Sequence, residues 1–320
     1  MAGFNALLGI VDLVAKLAGA GDVLLPIRTA TYAFLTDTEQ AGFARIVGGY
    51  SEASAFGAAG LSSLAFAFTH WRATGSRPAL ILWVVLAGLL LLSTSSTAYV
   101  GLGILLVLLM AASVRTVLRA GLLRQDLIVG VILSAILISV VGITLVKPSI
   151  LDPIVRLSEV TLFEKANSAS GQERSYWNEH SLQNVVETNG LGLGMGSSRA
   201  SNWPTAVLSQ LGIIGALLLI FLLISGLRDL GRDARARPER EMVILYDSAR
   251  ATALAILAGG LLGAGSADPG ILFFICIATT ISCRHILSSP APTPAEPARL
   301  PSGSIPALAL DPIHAGVLRT

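Results

Sequence analysis

The run from Thr205 to Leu227 carries no charged side chain. Roughly 20 apolar residues in a helix are enough to cross the hydrocarbon core of a bilayer. The run is continuous rather than alternating, which argues against a barrel strand. Lipid offers no hydrogen-bond partner to bare backbone, so a helix is the element expected there. The whole chain repeats this character: 53% of its 320 residues are hydrophobic and 13% are charged, and the mean hydropathy is +0.72. These values exclude an ordinary water-soluble domain and predict an all-α, polytopic integral membrane protein.

Eight membrane segments are expected, at about Phe4–Gly19, Ala53–Phe68, Ala79–Leu92, Ala98–Val114, Leu127–Val146, Thr205–Leu227, Ala249–Leu262 and Ile271–Ile286. The first is the weakest: it holds Asp12 and Lys16 one turn apart, a spacing that allows an ion pair, and it either spans or lies in the interface. Arginines then orient the set. Arg72 and Arg77 follow the second segment, Arg115, Arg119 and Arg124 the fourth, and Arg228, Arg232, Arg235, Arg237 and Arg240 the sixth. All three loops fall on one side, which the positive-inside rule assigns to the cytoplasm together with both termini. The links "STSST" and "GAGSADPG" on the other side hold no Lys or Arg.

Residues 1–288 thus form one membrane domain, and 289–320, rich in proline and small residues, are expected to be a disordered cytoplasmic tail. The net charge of +2, with arginines confined to the loops, speaks against nucleic-acid binding. Cys276 and Cys283 stand two turns apart in the last apolar run, too far to bridge each other, and read as packing residues. No spacing of ligand types points to a metal. The N-terminus lacks the basic region of a cleaved signal peptide.

Two outer segments remain, about Asp22–Glu52 and about 147–203, the second being one long outer loop. Long loops escape the charge rule, so their basic residues need another explanation. In the long loop Glu173, Trp177, His180, Asn184 and Glu187 recur at helical spacing, with Arg174, Asn178 and Ser181 on a neighbouring face. A guanidinium near the membrane suits a phosphate or diphosphate, because its fork engages two oxygens at once. The same residues also fit a solvated loop with surface ion pairs.

The loop ends in "NGLGLGMGSSRASNW" from Asn189. A dinucleotide-binding turn is ruled out, since no strand precedes it and no βαβ unit surrounds it. Two readings stay open. One is a flexible hinge. The other is a close-approach loop in which Gly192, Gly194 and Gly196 turn backbone N–H groups toward an anion, beside Arg199 and a following helix N-terminus. Asn202 suits the cap of that helix and Pro204 its first turn. The shorter outer segment offers Arg28 and Arg45, with Glu52 beyond a Gly-Gly turn. The small residues from Ala53 to Gly60 predict a tightly packed helix.

Three stretches occur in order: "RIVGGYSEASAFG", "LLLLSTSSTAYVGLGI", and "ERSYW" followed by "NGLGLGMGSSRASNWPTAVLSQLGIIGALLL". Together they resemble the O-antigen ligase and polymerase family of bacterial membrane glycosyltransferases, over about Leu25 to Leu227. The resemblance implies a helical protein of the bacterial inner membrane with a periplasmic active face. It implies transfer of a glycan from an undecaprenyl-diphosphate carrier to a sugar hydroxyl, on a growing polysaccharide or on lipid A core. No cofactor, nucleotide sugar or metal is implied. Polysaccharide chain-length and export proteins are the expected partners besides lipid.

The family's functional arginines map onto Arg45 and Arg174, and through a looser match onto Arg199. His180, Glu173 and Glu52 are the candidates for a base on the acceptor hydroxyl. Ligases place a His-Asn pair where this chain has Ser201 and Asn202, which favours the polymerase side. Family members usually carry further upstream helices, so a truncated or shortened chain is also expected. A lipid-linked glycan flippase or transporter, and an inactive member of a polysaccharide assembly complex, are the competing readings.

Overall fold

The computed structural model describes residues 1–28, 39–40, 43–120, 124–131, 134, 159, 169–236 and 238–289. Most of the expected fifth segment, the start of the long outer loop and the tail from 290 onward lie outside this set.

Nine helices are named here: α1 (Ala2–Leu17), α2 (Ala53–Thr74), α3 (Arg77–Leu92), α4 (Ser96–Ala120), α5 (Ala169–Glu187), α6 (Trp203–Gly226), α7 (Arg232–Arg235), α8 (Arg240–Gly263) and α9 (Ile271–Ser288). Residues 124–131 are helical as well. The exceptions among the described residues are a single turn at Leu25–Ile27 and a two-residue antiparallel pair, Glu39–Gln40 with Phe43–Ala44.

Each expected segment whose residues are described is a helix, but they do not all meet the demands of a bilayer. Among the described residues four helices are long and apolar enough to cross a membrane: α4 over Ser96–Arg115, α6, α8 and α9. That is fewer than the eight spans expected, the fifth of which lies largely outside the described residues. The α3 helix is apolar but has only 16 residues. The α1 helix also has 16, and Asp12 interrupts it. The α2 helix is long enough, with 22 residues, yet it is built from Ala, Gly and Ser. Such a surface suits contact with other helices rather than with lipid.

Packing explains the composition of α2. It is the central helix, against α3, α4 and, most extensively, α8. A Cβ on Gly57 would lie 3.0 Å from the Cβ of Ala98, and one on Gly259 would lie 3.2 Å from the Cα of Ala58. Phe56, Leu61, Ala65, Leu86, Leu90 and Ala98 form the buried centre. By contrast Ile214, Leu218 and Phe221 on α6 are 67%, 66% and 72% exposed, an apolar surface for which lipid is the natural solvent. The two cysteines are free and buried within α9.

One end of the bundle is charged. Arg235 grips Asp247 through both terminal nitrogens (2.8 and 3.0 Å) and reaches Asp229 at 2.9 Å. Arg72 holds Asp126 at 2.6 and 3.1 Å. Burial alone would raise the Asp229 carboxyl, but the Arg235 hydrogen bond, the charges of Arg235 and Arg250 and the Leu230 N–H hold it below the ordinary range. A carboxyl depressed on folding adds stability above its unfolded pKa of about 3.9 and loses it as pH falls through the lower folded value. Thermal unfolding in detergent should therefore shift downward below about pH 4 in the wild type and less steeply in Asp229→Asn. Equal slopes would contradict the assignment.

Candidate functional site

The opposite end of the bundle gathers the start of α2, the α3–α4 hairpin, the start of α6 and the end of α8. Thr97 lies 3.8 Å from where a Cβ on Gly263 would sit, and Trp203 donates its indole N–H to the Ala267 carbonyl at 3.0 Å. The "STSST" hairpin is therefore interior: Ser93, Thr94, Ser95 and Thr97 are all buried. Ser93 turns its hydroxyl onto the Leu90 carbonyl, and Thr94 holds a left-handed φ of 46°.

The glycine ladder settles against a broken helix. Gly212 in α6 has φ 69° and ψ −176°, a conformation essentially reserved for glycine. The break frees backbone groups of α6, and the ladder takes them up. Leu193 N–H donates to Ser209 O (2.9 Å), Gly194 N–H to Gln210 O (3.0 Å) and Ile213 N–H to Gly190 O (2.8 Å). Gly190, Gly192, Gly194 and Gly196 all have positive φ. Gly192 must be glycine on space as well, since a Cβ would stand 2.5 Å from Gly212 N.

Gln210, 2% exposed, completes the fastening. Its amide donates to Ser198 O (2.7 Å), and its oxygen accepts from Gly196 N–H (3.2 Å) and Ala267 N–H (3.1 Å). The reading of the ladder as an anion nest is thereby corrected. The amides of Gly192, Leu193, Gly194 and Gly196 bind Thr188, Ser209, Gln210 and the Gln210 side chain, so they do not point at a ligand. Nor is the stretch a free hinge. Asn202 caps α6 as expected, accepting from Thr205 N–H at 3.0 Å, and its oxygen is engaged there.

The polar helix α5 lies over this corner. Its inward face is Arg174, Trp177, Asn178, Ser181 and Asn184, a different division from the one that spacing suggested. Asn178 accepts from Ser201 N–H (2.8 Å), Ser181 donates to Arg199 O (2.9 Å) and Asn184 donates to the Ser198 hydroxyl (3.3 Å). Arg174 donates one N–H to Leu262 O (3.2 Å) in the last turn of α8, where the helix dipole favours a cation. Its other guanidinium N–H groups make no hydrogen bond among the described residues. Arg199 is exposed and stacks over Trp177 with 3.8 Å from Cζ to the ring centroid. Glu173 and His180 are exposed, and His180 contacts Gln183 at 3.1 Å and the Tyr176 ring at 4.1 Å. Neither forms a hydrogen bond or ion pair with Arg174 among the described residues.

The "RIVGGY" stretch is held from below by α1. One Asp12 oxygen accepts from Val47 N–H (2.7 Å), Gly48 N–H (3.0 Å) and Lys16 (2.9 Å). Arg28 contacts Asp12 at 3.3 Å, pairs with Asp22, and donates to Gly48 O at 2.6 Å. Its side chain is 4% exposed, so Arg28 braces the protein in this geometry rather than meeting solvent. Lys16 also donates to the Arg45 carbonyl. The Arg45 side chain lies within electrostatic reach of Tyr99, and Ile46 N–H binds Leu92 O (3.4 Å) at the hairpin. Glu52 precedes α2 and accepts from the Ser54 hydroxyl at 2.8 Å.

Between α2 and α8 an apolar groove of about 360 Å³ opens at this end. Ala55, Ala58, Gly260 and Gly263 line it together with Tyr50, Trp203 and Asp268. Arg174 is anchored on Leu262, the residue before Gly263. Sequence reasoning missed Tyr50, Trp203, Gln210 and Asp268. A lone Gln in an otherwise apolar run and the one carboxylate in "GAGSADPG" were the available signals. Neither descriptions of known families, nor curated proteins, nor solved structures match this chain.

Proposed function

We propose that the chain is a polytopic membrane glycosyltransferase of the O-antigen ligase/polymerase kind. In this reading it moves a glycan from undecaprenyl diphosphate to a sugar hydroxyl at the periplasmic face of the bacterial inner membrane, with both termini cytoplasmic. The observation that carries it is that Arg174 is anchored on the Leu262 carbonyl, one residue before Gly263 of the groove lining. A lipid diphosphate needs an apolar trough for its chain and a cation close by, and in this reading the groove and Arg174 serve as both. Arg199 on Trp177 and Arg45 beyond the hairpin add positive charge to the same end.

In the reaction the acceptor oxygen bonds to the anomeric carbon as the bond from that carbon to the diphosphate oxygen breaks. The electron pair leaves with the diphosphate, and the acceptor proton passes to a base or to water. Asp268 is exposed like Glu173 and His180, and its Oδ1 accepts from Gly270 N–H at 2.8 Å. Of the three it alone lines the groove, so it is the base we assign. Preorganised cations facing the departing charge contribute most in a site that excludes water.

Reconstitution with a lipid-diphosphate-linked oligosaccharide tests this. Lengthened glycans are expected from the wild type, and Arg174→Ala should lose about 10²–10³-fold in rate. Full transfer by folded Arg174→Ala would sink the clamp, and no product from wild type with its cognate donor would sink the reading. The competing transporter reading looks to broken helices, whose freed backbone binds substrate or ions. The break at Gly212 weakens it, because Ser209 O, Gln210 O and Ile213 N–H are already capped by the ladder.

A further inference from the structure

Two cavities at the other end of the bundle share a wall. One, of about 170 Å³, is lined by Arg72, Arg115, Arg235 and Arg250 with Asp229 and Asp247. The other, of about 440 Å³, is almost wholly apolar, between α2, α3, α4 and the helical stretch at 124–131. Phe68, Leu105, Leu109 and Ser113 line both. The two cavities therefore adjoin across these residues, one charged and the other greasy. They sit at the C-terminal half of α2 and the N-terminal half of α8, remote from the groove at Ala55 and Gly263.

We propose that the two together hold one anionic phospholipid, with its phosphate in the charged cavity and an acyl chain in the apolar one. Charge complementarity argues for that occupant. Four arginines stand against Asp126, Asp229 and Asp247, so one positive charge is in excess. Arg235 and Arg72 are engaged by carboxylates, and Arg250 donates to Leu227 O at 2.8 Å. Arg115 has no hydrogen-bond or ion-pair partner among the described residues, and it ends the apolar span of α4, where a guanidinium reaches the headgroup layer. Thr69 also lines this cavity. A neutral chain alone would leave Arg115 unanswered.

Trp83 lines the apolar cavity and stacks on Trp71 with 5.7 Å between ring centroids, which gives an optical reporter. The full chain in phosphatidylcholine vesicles would be titrated with phosphatidylglycerol bearing brominated chains, and tryptophan quenching recorded. A saturable component is expected for brominated phosphatidylglycerol and not for brominated phosphatidylcholine. Arg115→Gln, an exposed position that leaves the fold intact, should weaken it about tenfold, the loss of one charge-assisted hydrogen bond. Ser113→Phe should abolish it by filling the boundary that the two cavities share. Equal quenching by the two lipids, or an unchanged Arg115→Gln, would overturn the site. Inorganic phosphate that competed the component away would overturn the lipid assignment in favour of a free anion. None of these outcomes depends on glycan transfer, so the two readings stand or fall separately.

Discussion

Gly212→Ala is expected to unfasten the glycine ladder from α6. The position has φ 69° and ψ −176°, and a Cβ there would stand 2.5 Å from Gly190 O and against the Leu191 carbonyl. Alanine in that conformation costs of order 1–3 kcal/mol. The clash also forces the ladder away, and each of its bonds contributes roughly 1 kcal/mol. A total destabilisation of about 3–5 kcal/mol follows, at the upper end for a single substitution.

The local consequence is as informative as the total. If α6 straightens through alanine, Ser209 O and Gln210 O turn back into the helix and the amides of Leu193 and Gly194 lose their acceptors. Hydrogen exchange at Leu193 and Gly194 should accelerate far more than in the core of α2. Gly88→Ala is the control: it lies inside α3 with nothing within 4 Å of a new Cβ, and helix propensity predicts a gain of up to about 1 kcal/mol. Unchanged protection in Gly212→Ala would show that the break does not hold the ladder.

The second large effect is expected at Asp12. Its carboxylate, 2% exposed, takes hydrogen bonds from Lys16, Val47 and Gly48 and pairs with an Arg28 side chain that is itself 4% exposed. Asp12→Ala would leave a buried guanidinium with one carboxylate fewer and two backbone N–H groups without acceptors. Removing one partner of a buried pair costs about 3–5 kcal/mol. Asp12→Asn keeps an acceptor for one amide but loses the charge, and should fall between wild type and alanine. Unfolding in detergent reads the ranking. Because Tyr50 lines the groove and follows this stretch directly, the proposed function predicts weaker transfer in both variants, with binding lost before rate. A loss below about 1 kcal/mol in Asp12→Ala would mean that the network is solvated and dispensable.

Much of this architecture was legible in the chain because its causes are local. Continuous apolar runs gave helices, Asn202 and Pro204 began α6, and the one-turn spacing of Asp12 and Lys16 gave their ion pair. The small residues of α2 announced close packing, though the same residues led to its being counted as a span. At the candidate site the polar helix α5 was foreseen from spacing, but not its inward face. Which of Glu173, Arg174, Trp177 and His180 turns inward depends on where the 198–201 loop lies, and that loop is placed by Gln210.

What the sequence determined by itself is therefore the material: apolar helices, an arginine-rich end, a polar loop and a glycine ladder. Only the tertiary structure decided what the ladder binds, which arginine is braced inside and which is anchored on the end of α8. The physical reason is that the deciding contacts are backbone hydrogen bonds between distant segments. Ser209 O and Gln210 O could accept from any amide, so no residue type marks Leu193 and Gly194 as their donors. The same holds for Arg28 and Asp12, whose pairing needs the 45–50 turn to fold over α1 before two opposite charges can share one buried place.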